Sequence, residues 1–148
     1  KRQIETFYEM LKYLLMDMDK SRTIVDFGCG SGNIGLALAF LFPMHQFILI
    51  DYNPYCIKLA NQRMRNNELS NVKILQCKIE EFQLAFDVGI ACHACGNATD
   101  YAQMQCFENK AHFILCSCCV GKIEQGPRSQ MFAKDIGVEE FQQLSRIA

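Results

Sequence analysis

Residues 24–35 read IVDFGCGSGNIG, and this stretch decides the fold. An apolar run ends at Phe27, glycine then occupies every second position from Gly28 to Gly32, and a helical run begins at about Asn33. Glycine lets the backbone approach a ligand closely, and the N–H groups at a helix start point outwards. The stretch therefore predicts a strand, a ligand-binding loop and a helix.

Strand-like and helix-like runs alternate on both sides of this loop. The predicted strands are 23–27, 46–50, 71–76, 86–92 and 111–116, and the clearest helical runs are 4–18, 33–42 and 54–69. Such alternation predicts right-handed βαβ units around a parallel sheet, which is a doubly wound, Rossmann-like α/β fold. Ligands of these folds bind at the carboxyl ends of the strands. The loops that follow the strands are therefore the place to look for function.

The composition fits one domain with a buried core. The chain has 148 residues, 50% of them apolar, a formal charge of −1, and no apolar run long enough for a membrane span. The near-zero charge disfavours a domain that mainly binds phosphate backbones without specificity. We expect a single domain over 1–148, with a leading helix in 1–20, a βαβ core in 21–120, and a loop with terminal helices in 121–148.

Nine cysteines are present, an odd number, and most lie in apolar runs, as Cys56 and Cys77 do. Free cysteine behaves there as a small buried apolar residue. No secretory signal precedes them, so we expect a reducing intracellular compartment such as the cytoplasm. Two clusters stand apart, at 92–95 and 116–119.

Asp51 ends the second predicted strand, where a carboxylate can accept the hydroxyls of a ribose. The alternative is a tight glycine turn followed by an aspartate that only caps the next helix. Residues 30–35 also fit the dinucleotide pattern G-x-G-x-x-G, so NAD remains an alternative ligand. However, the carboxylate of Asp26 would repel a diphosphate and suits a cationic group. The ligand best matched is S-adenosylmethionine (SAM).

Residues 25–39, VDFGCGSGNIGLALA, resemble the first motif of the class I SAM-dependent methyltransferases, (D/E)-x-G-x-G-x-G. The resemblance implies that the methionine end of SAM lies against Asp26, Gly28, Cys29, Gly30, Ser31 and Gly32. It also implies that Asp51 holds the ribose and that Tyr52 and Asn53 lie beside the adenine. The family usually has an acid or amide after the third strand, where this chain has Lys78, Ile79 and Glu80. We expect the adenine contact there to come from backbone N–H groups or from Glu80.

The elements after strands four and five resemble a narrower group within this superfamily. That group includes the methyltransferase-like domain of the glutathione S-transferase C-terminal domain-containing proteins and, more distantly, the tRNA 2′-O-methyltransferase of the acceptor stem. The residues that carry the resemblance are His93, Cys95, Gly96, 98–100, Cys118 and Cys119. The resemblance points to an RNA ribose hydroxyl as acceptor.

Three roles compete for these residues. The thiols of Cys95, Cys118 and Cys119 would line a substrate pocket or pack as small buried groups. His93, which is also expected beside the cofactor, or Asp100 would handle the proton of the acceptor. A zinc site formed by the two cysteine clusters is the third possibility, although we commit to no metal.

The sequence thus predicts a SAM-dependent methyltransferase, with a non-catalytic SAM-binding scaffold or sensor as the alternative from another class. It makes no prediction of oligomeric state. Little sequence follows the fifth strand, so the antiparallel strands that complete this fold are expected to be missing and the chain to cover the cofactor half.

Overall fold

The computed structural model of the chain describes residues 2–16, 20–94 and 96–116. The helices are α1 (Arg2–Leu15), α2 (Gly35–Leu41), α3 (Pro54–Asn66) and α4 (Asn97–Glu108). The strands are β1 (Thr23–Phe27), β2 (Gln46–Asp51), β3 (Val72–Gln76), β4 (Val88–Cys92) and β5 (His112–Cys116). A 3-10 turn covers Ile79–Glu81.

The five strands form one parallel sheet in the order β3-β2-β1-β4-β5. The chain moves outwards in one direction from β1 to β3 and in the other from β4 to β5, so the strand order reverses between β1 and β4. The prediction of a doubly wound, Rossmann-like α/β fold is confirmed. The point of reversal is where such sheets open a crevice for a ligand.

Both faces of the sheet are covered, which explains why its strands are almost continuously apolar. On one face, Phe7 and Leu11 of α1 and Leu38 of α2 pack against Ile24 and Leu49. The opposite face carries α4 and the 3-10 turn, whose buried residues pack against β1, β2 and β4. The two apolar layers hold the carboxyl ends of the strands in a fixed arrangement.

Several predicted boundaries differ from the structure by one to three residues, and two of these differences have a clear physical reason. Helix α2 begins at Gly35 rather than Asn33 because the tight turns of the glycine loop continue to Ile34. Strand β4 begins at Val88 rather than Phe86, whose ring packs edge-on against Phe27 at 5.5 Å between centroids. None of the helices within the described residues is long and apolar enough to cross a membrane. The antiparallel strands expected to be missing and the terminal helices expected in 121–148 lie outside the described residues.

Gly89 on β4 lies where the sheet meets α4. A Cβ atom there would overlap the Sγ of Cys106 and lie 3.0 Å from a ring carbon of Phe27. We expect Gly89→Ala to lower the free energy of unfolding by about 1–3 kcal/mol, because overpacking shifts the side chains around it. Urea denaturation followed by circular dichroism measures this. Adding Cys106→Ala should recover part of the loss, and a purely additive double variant would contradict this packing.

Candidate functional site

The glycine loop after β1 is built from residues with left-handed backbone. Gly28, Gly30 and Gly32 have φ angles of +68°, +54° and +79°, a region that other residues avoid. A Cβ added at Gly30 would meet nothing within 4 Å. The loop therefore has open space over its centre, where a ligand can approach the backbone.

Asp51 at the end of β2 is tied to this loop. Its Oδ2 accepts the Gly30 N–H at 2.9 Å, and its Oδ1 accepts the Asn53 N–H at 2.9 Å. The cap of α3 is Asn53, whose side chain accepts the Tyr55 N–H. Since a different residue caps the helix, the Asp51 carboxylate belongs to the loop and the crevice beside it.

Asp26 lies beneath the loop, with only 3% of its surface exposed. Its Oδ2 accepts the N–H of Gly35, the first residue of α2, at 3.0 Å. Burial raises the pKa of Asp26 from 3.8 to about 7; the charge of Asp51 adds to the effect and the Gly35 bond opposes it. The carboxyl group thus lies at the start of α2, and both its charged and its neutral forms are populated near neutral pH.

A cleft of about 490 Å³ opens at the carboxyl ends of β1 to β4, within the range of small-molecule sites. Its lining comprises Gly28, Asp51, Tyr52, Cys77, Lys78, Ile79, Glu80, His93, Ala98 and Tyr101. Six of the sequence-predicted cofactor residues are therefore brought together: Gly28, Asp51, Tyr52, Ile79, Glu80 and His93. The Nζ of Lys78 forms an ion pair with Oε1 of Glu81 at 3.5 Å.

Other predicted cofactor residues lie beside the cleft rather than on its walls. Ser31 faces α3, where its carbonyl oxygen and hydroxyl accept from Arg63 at 3.1 and 3.2 Å. Gly32 lines a separate groove between α2 and α3. The Cys29 thiol donates to the Gly30 carbonyl, and burial raises its pKa far above the usual range. These residues shape the loop from behind.

His93 follows β4 directly and has a φ of +63°, which is unusual for a residue with a side chain. The backbone N–H of His93 donates to the Cys116 carbonyl at 2.9 Å. The ring Nε2 of His93 lies 2.6 Å from Nε2 of Gln3 on α1. His93 is therefore held between the end of β5 and the first turn of α1, two elements that are far apart in sequence.

Helix α4 brings Ala98 and Tyr101 to the cleft but not Asp100. Asp100 lies two residues from Ala98, about 200° around the helix, and therefore on another face. Its placement favours His93 over Asp100 as the residue that reaches an acceptor. The predicted pocket residues Cys95, Cys118 and Cys119 lie outside the described residues.

Sequence reasoning missed three residues at this site: Gln3, Cys77 and Tyr101. Cys77 follows β3 directly, so its position was a usable signal, as was that of Tyr101 after the Ala-Thr-Asp element. No pattern connects Gln3 with a residue 90 positions away. No group of three or more His, Cys, Asp or Glu side chains that could hold a metal ion is found within residues 2–16, 20–94 and 96–116.

Comparison with known families assigns the class. The family model described as "Methyltransferase domain" matches residues 18–146. The chain therefore belongs to the methyltransferase domain family, and the predicted membership of the class I methyltransferases is confirmed. Helix α1, which supplies Gln3, lies before the matched residues.

Several named proteins are similar to this chain in sequence. The glutathione S-transferase C-terminal domain-containing protein of Mus musculus is 36% identical over 144 residues, covering 93% of this chain and 23% of the relative. Its homolog from Drosophila pseudoobscura pseudoobscura is 31% identical, covering 100% and 26%. Ribosomal RNA small subunit methyltransferase G of Stutzerimonas stutzeri is 33% identical over 86 residues, covering 57% and 40%. The chain thus spans about a quarter of the length of the first two relatives.

Solved structures share the fold. The YcgJ protein of Bacillus subtilis matches with a TM-score of 0.56 and 17% identity, covering 73% of this chain and 50% of that one. Coclaurine N-methyltransferase bound to N-methylheliamine and SAH matches with a TM-score of 0.52 and 14% identity, covering 61% and 27%. At these identities the likeness concerns the fold.

Proposed function

We propose that the cleft binds SAM and that the domain transfers its methyl group to an acceptor. The observation that carries this proposal is the placement of two carboxylates around one glycine loop, with Asp26 under it and Asp51 beside it. SAM has a sulfonium and an ammonium group, which carboxylates stabilise, and a ribose, whose hydroxyls donate to a carboxylate. The donor set of the loop therefore fits this cofactor.

The parts of SAM can be matched to groups on the walls of the cleft and on the glycine loop beside it. The Asp51 carboxylate would hold the ribose, and Tyr52, 71% exposed beside it, would stack on the adenine. Ile79 and Glu80 line the same cleft and would close its adenine end. The methionine end would lie over Gly28 and Gly30. SAM supplies an activated methyl group, so the main tasks of the chain are to align the acceptor and exclude water.

The alternative of NAD fits this loop poorly. A dinucleotide places its pyrophosphate on the N–H groups at a helix start. Here the Gly35 N–H at the start of α2 is already donated to Asp26. A buried carboxyl group at that point repels a phosphate when ionised. The occupied helix start thus favours SAM over NAD.

For the acceptor we propose an RNA ribose hydroxyl. A hydroxyl is a weak nucleophile and needs a group that takes its proton. His93 lies on the cleft wall, and its imidazole is a group that can take a proton; its Nε2 lies 2.6 Å from Nε2 of Gln3. An acceptor hydroxyl would take the place of the Gln3 amide at this nitrogen. The relative named as a ribosomal RNA methyltransferase supports RNA as the acceptor class.

Calorimetry with SAM and NAD, followed by methyl transfer from labelled SAM to bulk RNA, tests the proposal. We expect SAM to bind, NAD not to bind, and label to appear in RNA as ribose-methylated nucleosides. His93→Asn should lower the transfer rate about 100-fold or more, as loss of a general base does, and should lower SAM affinity by a much smaller factor. Binding without transfer to any acceptor would favour the scaffold, and binding of NAD alone would overturn the cofactor assignment.

We also propose that the domain works in a reducing compartment. The six cysteines of the described residues, Cys29, Cys56, Cys77, Cys92, Cys106 and Cys116, are free thiols. Most are partly or fully buried, where thiols act as small apolar groups. Fractionation of cells with an antibody to the chain tests this, and a secreted pool would contradict it.

A further inference from the structure

Cys92 and Cys116 end two neighbouring parallel strands at the same register. They are the last residues of β4 and β5 and are paired across the sheet. We propose that they form an oxidisable dithiol site, which a peroxide closes to a disulfide between the two strands. This inference stands on the sheet geometry and does not depend on the proposed SAM site.

The two thiols lie on the same face of the sheet. The register partners Ile90 and Ile114, two residues earlier on each strand, both pack into the cluster under α1. Side chains two positions apart on a strand share a face, so Cys92 and Cys116 point towards α1 as well. Cys92 packs against that same cluster.

The separation of the strands suits a disulfide. Neighbouring strands lie about 4.8 Å apart, and disulfides join Cα atoms separated by about 4.4–6.8 Å. The Cys116 thiol is close enough to Cys92 to contribute to the raised pKa of that thiol, about 11, which is caused mainly by burial. The general spacing of paired strands thus lies within the range of Cα separations that a disulfide spans.

The two cysteines differ in access, which sets the order of events. Cys116 is exposed and Cys92 is half-buried, so the oxidant reaches Cys116 first. The Cys116 sulfur attacks a peroxide oxygen and the O–O bond breaks. One water is released, and Cys116 becomes a sulfenic acid. The Cys92 sulfur then attacks the Cys116 sulfur, the S–O bond breaks, and a second water leaves with the Cys92 proton. Two thiols and one hydrogen peroxide give one disulfide and two waters.

The position of the pair connects it to the cleft. The carbonyl of Cys116 accepts the N–H of His93, which follows Cys92 directly. A disulfide would therefore fix the two strand ends that hold His93 in its left-handed conformation. The thiols themselves do not line the cleft, so they are available for this chemistry when the cleft is occupied.

Peptide mapping of the intact chain tests the proposal. The reduced protein is treated with a small excess of hydrogen peroxide, alkylated, and digested with trypsin without reductant. Trypsin produces peptides 79–110 and 111–122, which hold Cys92 and Cys116 respectively. We expect these two peptides to be joined, with a mass lower than their sum by two hydrogens, and fragmentation to place the link at Cys92 and Cys116. Dithiothreitol should separate them.

Matched variants remove the other cysteines of these peptides. In one chain Cys95, Cys118 and Cys119 are changed to Ser and Cys106 to Ala, which leaves one cysteine in each peptide. The link should persist there and disappear when Cys92→Ser or Cys116→Ser is added. If that chain does not fold, fragmentation of the native chain still locates the link. A link at any other cysteine, a link that survives C116S, or no link at all would overturn the proposal.

Discussion

Asp51→Ala is expected to weaken SAM binding by about 100-fold or more. The variant removes the charge-assisted hydrogen bonds proposed for the ribose, each of which contributes about 1.5–3 kcal/mol. It also releases the N–H groups of Gly30 and Asn53, which the carboxylate holds at 2.9 Å in the present arrangement. Binding therefore loses both a direct partner and a preorganised loop. Titration calorimetry measures the change in affinity.

Two control variants separate these effects. Asp51→Asn keeps one oxygen acceptor and should lose less affinity than Asp51→Ala. Glu108→Ala removes an exposed carboxylate at the end of α4 and should leave the affinity unchanged. All three variants should show the circular dichroism spectrum of the native chain. Full affinity of a folded Asp51→Ala chain would show that the ribose lies elsewhere.

The sheet and the position of the cleft could be predicted because both follow from local patterns. The apolar runs that became β1 and β2 are bounded by Arg22, Gly28 and Asp51, so their ends are marked in the sequence. Parallel strands place their carboxyl ends together. Gly28, Asp51 and His93 therefore meet at one edge even though none of them is near another in sequence.

The sequence could not predict which residues of the glycine loop face the cleft and which face away from it. Ser31 and Gly32 follow directly after Gly30, yet the turn directs them to Arg63 and to the groove behind α2. That direction depends on φ angles and on where α3 packs, which a motif does not contain. The bounds of α4 were also hidden, because the run from Asn97 to Glu108 has no strong apolar stripe.

The contact between Gln3 and His93 is another feature that depends on tertiary packing. Helix α1 is held on the sheet by Phe7 and Leu11, and this packing alone brings its first turn to the end of β4. The contact places the Gln3 amide 2.6 Å from Nε2 of the His93 ring, on the nitrogen proposed to meet the acceptor. The role proposed for His93 therefore depends on a helix that lies before the residues matched by the methyltransferase family.

Protonation of Asp26 is expected to make the stability of the chain depend on pH. Its pKa is about 7 in the folded chain against an ordinary value of 3.8. Between these values the folded state binds more protons than the unfolded state, so the free energy of unfolding falls as pH rises from about 4 to about 7. Above pH 7 this contribution is constant. The full shift corresponds to about 4 kcal/mol.

Asp26→Asn isolates this effect. The amide oxygen can still accept the Gly35 N–H, while the buried charge is gone. We expect the variant to be about 1–4 kcal/mol more stable than the native chain at about pH 8 and close to it at about pH 4. The difference between the two denaturation curves at each pH cancels the contributions of other groups. A difference that does not change between about pH 4 and about pH 7 would contradict a raised pKa.

The same substitution should weaken SAM binding while it stabilises the fold. A bound ammonium or sulfonium favours the ionised form of Asp26, so binding to the native chain should release a proton near about pH 6 and strengthen as pH rises towards about 8. Calorimetry in buffers of different ionisation enthalpy measures that proton. The amide introduced by Asp26→Asn has no proton to release, so this contribution should vanish in the variant. Asp26 would therefore lower the stability of the fold at neutral pH, and in return the site would bind a cationic group more tightly. A variant that binds SAM as tightly as the native chain at about pH 8 would show that Asp26 serves the fold alone.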